Sequence, residues 1–363
     1  MSAPKVRIVD PHGVHGWRAY VELTKPRIIE LLLVTTVPAM VVAKQGWPST
    51  WLVIATVVGG TLSAAGANTI NQVFDRDIDA MMSRTRNRPI PTGRISPRAA
   101  FWFGVLLGAS GFTWLWLFAN LLAASLSTVG LLFYLFAYTL VLKRTSAQNI
   151  VLGGAAGAVP ALVGWAAVSG DLSLPAWVMF GVVFFWTPAH FWALSMRYRV
   201  DYKAAGVPML PVVVGERETL EHILRYSVVT VGVSLLLVGS GAVVGWLYLV
   251  VVTIFGVLLI RRAAMLRRDL TGAMGYFGFT NLYLGGVFSA MALDALLVDP
   301  VGSGVATVVS IAAAALAVGG GALIVAAEFS MKDRRLVGRT RDAIEVLLPF
   351  AGLVALASAV LLT

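Results

Sequence analysis

Three residues with hard oxygen donors stand at four-residue spacing in one short run: Asn71, Asp75 and Asp79, within Asn71-Gln72-Val73-Phe74-Asp75-Arg76-Asp77-Ile78-Asp79. On a helix each four-residue step advances about 400°, so the side chains drift only about 40° per step and form one stripe, with neighbours about 6 Å apart. Asp77 falls on the opposite face and is expected to be structural. Magnesium prefers such oxygens, keeps several waters, and usually joins one or two carboxylates to substrate phosphates. A diphosphate neutralised in this way is a good leaving group, because a Lewis acid draws charge from the departing oxygens. The plain alternative is a solvated helix end. Against it, like charges four residues apart cost about 0.2–0.5 kcal/mol when no cation sits between them.

The chain continues Arg84-Thr85-Arg86-Asn87-Arg88-Pro89-Ile90-Pro91-Thr92-Gly93-Arg94. Its prolines limit helix, and its arginines can clamp phosphate oxygens in pairs. Arg88 and Arg94 are the candidates for that work. Lys143, Arg144 and Asn149 form a third polar group that could meet the same diphosphate.

What must position these residues is a membrane bundle. Of 363 residues, 58% are hydrophobic and 13% charged, about half the charge of an ordinary soluble domain. Cysteine is absent, which excludes disulfides, thiolate metal sites and cysteine nucleophiles. No cleavable leader is expected, since residues 1–25 are polar and mixed; His12 and His15 read as part of a tail. Eleven apolar stretches are predicted to span: 28–43, 47–70, 99–118, 121–142, 150–168, 176–194, 226–239, 242–260, 277–298, 303–327 and 344–362. Residues 99–142 and 226–260 carry no charge and are each too long for one helix. Asn120 and Gly239-Ser240-Gly241 are the expected breaks.

Charge parity supports both hairpins. Of the 28 Lys and Arg, 27 fall in segments that alternate correctly if the N-terminus is cytoplasmic; Lys44 is the exception. With eleven spans the C-terminus is expected outside. This bias accounts for the net charge of +10 without nucleic acid, and it explains many of the arginines and the Lys143–Arg144 pair as well as phosphate binding does. His222 sits in a basic segment and reads as solvated.

The run NQVFDRDIDAMMSRTRNRPIPTGRIS resembles the first aspartate-rich region of UbiA-type intramembrane prenyltransferases. TKPRIIELLLVTTVPAM at 24–40, RTSAQNIVLGGAAGAVPALVGW at 144–165 and WTPAHFWALSMRYRVDYKAAGVPMLPVV at 186–213 are similar to the branch of protohaem IX farnesyltransferases within that family. The resemblance covers about residues 20–298. It implies an all-α polytopic membrane protein: a nine-helix bundle around a cavity, with two polar loops facing each other across a cytoplasmic mouth. It implies transfer of farnesyl from farnesyl diphosphate to a vinyl group of haem b, with magnesium as the metal. The implied metal ligands are Asn71, Asp75, Asp79 and Asp201, and the carboxylates Asp75, Asp79 and Asp201 are the implied catalytic groups. Many relatives carry a full second aspartate motif; here Arg197 precedes Asp201 by four residues and Ala205 follows it by four. Asp201 is therefore expected to assist metal or water, with Lys203 meeting the diphosphate; a local Arg197–Asp201 pair is the simpler reading. His190, the one histidine inside a span, is expected either to ligate haem or to bond a neighbouring helix. Lys143 and Arg144 meet the diphosphate or a haem propionate.

The expected organisation is a cytoplasmic segment 1–27, a prenyltransferase region 28–298 and an extension 299–363 of two spans, read as an accessory hairpin with Glu328 and Asp333 flanking a basic loop. The expected setting is a bacterial cell membrane, with downstream haem-modifying or terminal oxidase assembly proteins as partners. The nearest alternative is a UbiA-type enzyme acting on a quinone precursor. A transporter is disfavoured because the ionisable residues gather at one surface instead of mid-membrane. On this reading Asp75→Ala abolishes turnover while the protein stays inserted and folded; full activity of that variant at limiting magnesium would contradict the assignment.

Overall fold

The computed structural model describes residues 16–242, 244–297, 302–330 and 340–362. His12, His15, Asp333 and the basic set from Lys332 to Arg339 lie outside the described residues. Among the described residues there is no strand; the chain is helix joined by short turns.

A short helix α1 (Gly16–Thr24) precedes the first span. The polar composition there suggests only a tail, yet α1 buries Ala19 and Leu23. Gln72 Nε2 donates to Leu23 O at 2.7 Å and Asn68 Nδ2 to Thr24 O at 3.1 Å. These bonds satisfy carbonyls that the helix end would leave without partners.

The spans follow as α2 (Pro26–Lys44), α3 (Thr50–Phe74), α5 (Pro97–Phe118) and α6 (Leu121–Leu132), with the six-residue α4 (Arg76–Met81) between α3 and α5. The helix of α6 runs on through a π-helical stretch (Phe133–Leu142) into α7 (Lys143–Thr145). Next come α8 (Asn149–Ser169), α9 (Leu174–Arg197), the short α10 (Arg199–Ala204) and α11 (Leu210–Val213), then α12 (Glu216–Leu236), α13 (Trp246–Leu266) and α14 (Ala273–Leu297). The extension holds α15 (Ser303–Ser330) and α16 (Thr340–Leu362). Every predicted span coincides with a helix. Among the described residues nine stretches are long and apolar enough to cross a membrane, and α2 and α16 contribute the shorter apolar runs Val34–Lys44 and Leu347–Leu362.

Both expected hairpins are present. Asn120 ends the continuity of α5 and α6: its side chain accepts from Ala123 N at 2.8 Å, an N-cap, and its amide donates to Ala166 O at 2.7 Å on α8. The second break falls after a 3₁₀ turn over Leu237–Gly239.

Helices α2, α3, α5, α6, α8, α9, α12, α13 and α14 each pack on the next, and α14 packs back on α2 to close the ring. Across it, α2 touches α8 and α9 touches α14. Outward-facing Trp102, Leu106 and Val257 are exposed, as lipid-facing positions must be. Small residues set the close approaches. A Cβ on Gly66 of α3 would lie 2.7 Å from both Gly104 O and Gly108 N of α5, backbone atoms that cannot yield. α15 approaches α12 in the same way, a Cβ on Gly232 meeting Ala317 N at 2.6 Å. Gly66→Val is expected to cost about 1–3 kcal/mol by overpacking, read as a lower melting temperature in detergent. Gly60→Val, with nothing within 4 Å, is the control; equal stability of the two variants would contradict this packing.

Candidate active site

The stripe forms where α3 gives way to α4. Asp75 is the junction residue, and the i→i−4 ladder continues across it: Asp75 N bonds Asn71 O at 2.9 Å and Asp79 N bonds Asp75 O at 2.7 Å. Asn71, Asp75 and Asp79 therefore share one face. That face points inward, with exposures of 3%, 1% and 2%. The solvated helix end is thus ruled out for these three; it describes Asp77, which is mostly exposed.

Buried carboxylates need partners. Lys143 Nζ lies 2.5 Å from Asp75 Oδ2, which also accepts from Asn71 Nδ2 at 2.8 Å. Arg88 Nη1 meets both oxygens of Asp79, at 2.9 and 2.8 Å. Lys25 Nζ donates to Asn71 Oδ1 at 2.9 Å. Asn71 Nδ2 also donates to Thr139 Oγ1 at 3.0 Å, and Thr139 in turn donates to Tyr134 O, five residues back. That five-residue step belongs to the π-helix, which re-aims one face of the fourth span at the acidic stripe.

Lys25 was not among the expected site residues; orientation bias accounted for it. Two local signals mark it. It precedes Pro26, and it adopts φ 53 and ψ 62, a left-handed conformation that costs a lysine free energy. The turn bends the chain between α1 and α2 so that a half-buried ammonium joins the stripe. Burial, then the charge of Arg88, lowers its pKa to about 7, against the opposing pull of Asp79 and Asp75. The unfolded chain thus binds more protons between pH about 7 and 10.5, and stability from this group rises with pH over that window.

Other expected residues are placed differently. Arg144 grips Asp77 with two bonds, Nη1 to Oδ2 at 2.7 Å and Nη2 to Oδ1 at 2.8 Å, and also reaches Phe74 O. The Arg144 hydrogen bonds hold the Asp77 carboxyl at about 2. Its nearest approach to Asp75 is 3.9 Å. Arg94 is not in the cluster: it pairs with Glu22 at 2.8 Å and bonds Asn87 O on the exposed rim. Asp201, on α10, accepts from Ser83 N at 3.0 Å and from the Ser83 hydroxyl, so it ties the second loop to the first. Lys203 is exposed on the same short helix. Asn149 is fully buried and donates to Ser146 O at 2.7 Å and Pro208 O at 3.4 Å. Arg84 lies over the Tyr198 ring at 5.6 Å, a further link between the two loops.

His190 is stacked between Trp186 and Phe277, with ring centroids 4.2 and 4.3 Å away. Its Nδ1 is 2.7 Å from Thr280 Oγ1 on α14, the inter-helix bond that was one of its two expected roles. The Thr280 hydroxyl gives its single proton to Phe277 O at 2.7 Å. It must therefore accept from Nδ1, which in a neutral ring leaves the lone pair on Nε2. His222, expected in solvent, is instead fully buried beside Trp192, because α12 begins at Glu216, well before its apolar run.

The donor set fits a hard divalent ion. Asp75 Oδ1 is buried and accepts no hydrogen bond. Among the described residues no group of three His, Cys, Asp or Glu could cage a metal alone, so phosphate and water would complete the coordination, as magnesium prefers.

Residues 32–282 match the model of the UbiA prenyltransferase family. The chain is 51% identical to Protoheme IX farnesyltransferase 1 of Saccharopolyspora erythraea over 76% of this chain and 89% of that one. It is 48% identical to the Protoheme IX farnesyltransferase of Mycolicibacterium smegmatis over 78% and 92%. Against the one from Chloroflexus aurantiacus, 49% identical, the match spans 49% of that longer chain. Among solved structures, a digeranylgeranylglyceryl phosphate synthase aligns with TM-score 0.64 at 21% identity, over 78% of this chain and 99% of that one. A UbiA homolog from Archaeoglobus fulgidus bound to DMAPP and Mg2+ aligns with TM-score 0.52 at 15% identity, over 76% and 99%. The last two share the fold.

An anion brought beside Lys25 restores its proton. Binding of inorganic diphosphate at pH 8 is expected to draw extra proton uptake relative to Lys25→Arg, whose guanidinium never titrates. Calorimetry in buffers of different ionisation enthalpy reads the difference. Equal uptake by the two proteins would exclude Lys25 from the site.

Proposed function

The chain belongs to the UbiA prenyltransferase family, and from that premise we propose that it transfers farnesyl from farnesyl diphosphate to a vinyl group of haem b, yielding haem O and diphosphate. The observation that carries the reading is the buried Asn71–Asp75–Asp79 stripe, held by Lys25, Lys143 and Arg88. The choice of acceptor rests on relatives at 48–51% identity that bear the farnesyltransferase name.

In this reading Asp75, Asp79 and the Asn71 amide oxygen would hold magnesium. When bound, the ion supplies Lewis acidity to the diphosphate. Lys143, Arg88 and Lys25 exchange their carboxylate and amide partners for diphosphate oxygens, so the positive charge that now satisfies buried acids stabilises the leaving group. The allylic C–O bond breaks with its electron pair leaving on diphosphate. The vinyl carbon attacks the farnesyl carbon, water adds to the resulting porphyrin-stabilised cation, and that water loses a proton. Apolar walls around the chain keep bulk water from the allylic cation. No covalent enzyme adduct is required, consistent with a chain that lacks cysteine.

Asp201 serves here by holding the two loops together through Ser83. His190, with its Nε2 lone pair, offers the haem iron a ligand from a ring locked by two aromatic faces. The active-site loops face the cytoplasm of a bacterial cell; the support is the bias of basic residues toward that side. Residues 28–298, joined by Lys25 from the preceding segment, carry the chemistry, and the product passes to haem-modifying or terminal oxidase assembly proteins.

Purified protein incubated with haem b, farnesyl diphosphate and magnesium is expected to give haem O by mass. Folded protein that leaves haem unchanged and prenylates a quinone precursor would transfer the reading to that acceptor class.

A further inference from the structure

The C-terminal helices read from sequence as an accessory hairpin without chemistry. Their packing suggests otherwise. α15 lies backbone to backbone on α12 at Gly232 and Ala317. A Cβ on Gly320 of α15 would meet Val229 at 2.9 Å, and one on Gly321 would meet Phe350 and Leu353 of α16 at 2.8 Å. α16 in turn packs on α9 and α8.

This stack delivers one carboxyl to the candidate active site. Glu345, in the second turn of α16, is 6% exposed. Its Oε2 accepts a hydrogen bond from the Ser146 hydroxyl, 199 residues away in sequence. Ser146 ends the segment that begins with Lys143 and Arg144. With its proton committed to Glu345, the Ser146 oxygen accepts from Gln148 N at 3.0 Å. The Ser146 carbonyl accepts from Asn149 Nδ2, which also reaches Pro208 O beyond α10. One contact therefore orders the turn between the fourth span and α8. Three residues upstream of that turn Lys143 meets Asp75, and two upstream Arg144 meets Asp77.

We propose that Glu345 is a positioning residue: through the Ser146 hydroxyl, the C-terminal helix pair sets where Lys143 and Arg144 stand against Asp75 and Asp77, and so sets the affinity for the prenyl diphosphate. The affinity part rests on the function proposed above; the ordering of the loop does not. The carboxyl touches no reacting atom and acts by fixing the loop that carries the cations. Deleting it leaves the hydroxyl without its acceptor in a buried place, where such a loss is felt.

The experiment compares full-length wild type with Glu345→Ala, Ser146→Ala, the double variant and Glu345→Gln. Glu345→Ala and Ser146→Ala are each expected to raise KM for farnesyl diphosphate about three- to tenfold, with kcat and KM for haem held within about twofold. The double variant is expected to lose less than the sum of the single ones, since the Glu345–Ser146 contact is lost in all three. Glu345→Gln, whose amide oxygen still accepts, is expected to stay near wild type. Hydrogen exchange of amides 143–149 in the unliganded protein is expected to quicken in both alanine variants. Unchanged exchange, additive effects, or equal loss for both substrates would overturn the proposal. The exchange arm uses no substrate, so it decides the coupling even if wild type prenylates a different acceptor. Ser146→Ala removes a single oxygen and keeps the test open if Glu345→Ala does not fold.

Discussion

Two aspartates one helical turn apart are buried inside the helical bundle, and burial makes cations obligatory. Removing a carboxylate from water costs several kcal/mol, which is recovered only if charge and hydrogen bonds meet it there. Much of the surrounding structure answers that demand. The left-handed turn at Lys25, the π-helical stretch before Lys143 and the irregular chain that returns Arg88 to Asp79 all bring a basic group to the stripe. Each departs from regular geometry, and each departure ends at one of the same three residues.

The same demand explains how one cluster can serve two states. Ion pairs buried in this way are worth little net stability compared with apolar packing, so they are poor candidates for mere scaffolding. They are well suited to exchange. Anionic phosphate oxygens can take over the cations, and a divalent ion can take over the carboxylates, without any charge being left alone. Asp75 Oδ1, already short of a hydrogen bond, is the atom with most to gain.

The fold was largely legible because a bilayer imposes two strong patterns, apolar length and basic asymmetry. Parity of the basic loops separated α5 from α6 and α12 from α13 where hydropathy alone could not. The stripe was legible because four-residue spacing survives the small kink at Asp75. What escaped has physical reasons. α1 is too short and polar to announce itself, and its support comes from Asn68 and Gln72 on α3. The π-helix leaves no mark in composition. Lys25 and Arg94 look alike as basic loop residues, yet a backbone turn sends one into the cluster while Glu22 holds the other at the rim. His222 has charged neighbours in the sequence, but the helix it occupies extends past the apolar run and turns it inward. Glu345 lay in a segment whose spacing carries no motif, because its partner is distant in the chain.

The central claim is that the cations on the stripe are placeholders for substrate and metal. The direct measurement is a structure of the protein with magnesium and a non-hydrolysable farnesyl thiodiphosphate. The account predicts that Lys143 leaves its 2.5 Å contact with Asp75 and Arg88 leaves Asp79, both turning to phosphate oxygens, with metal density against Asp75. Analogue bound elsewhere with both ion pairs intact would contradict it.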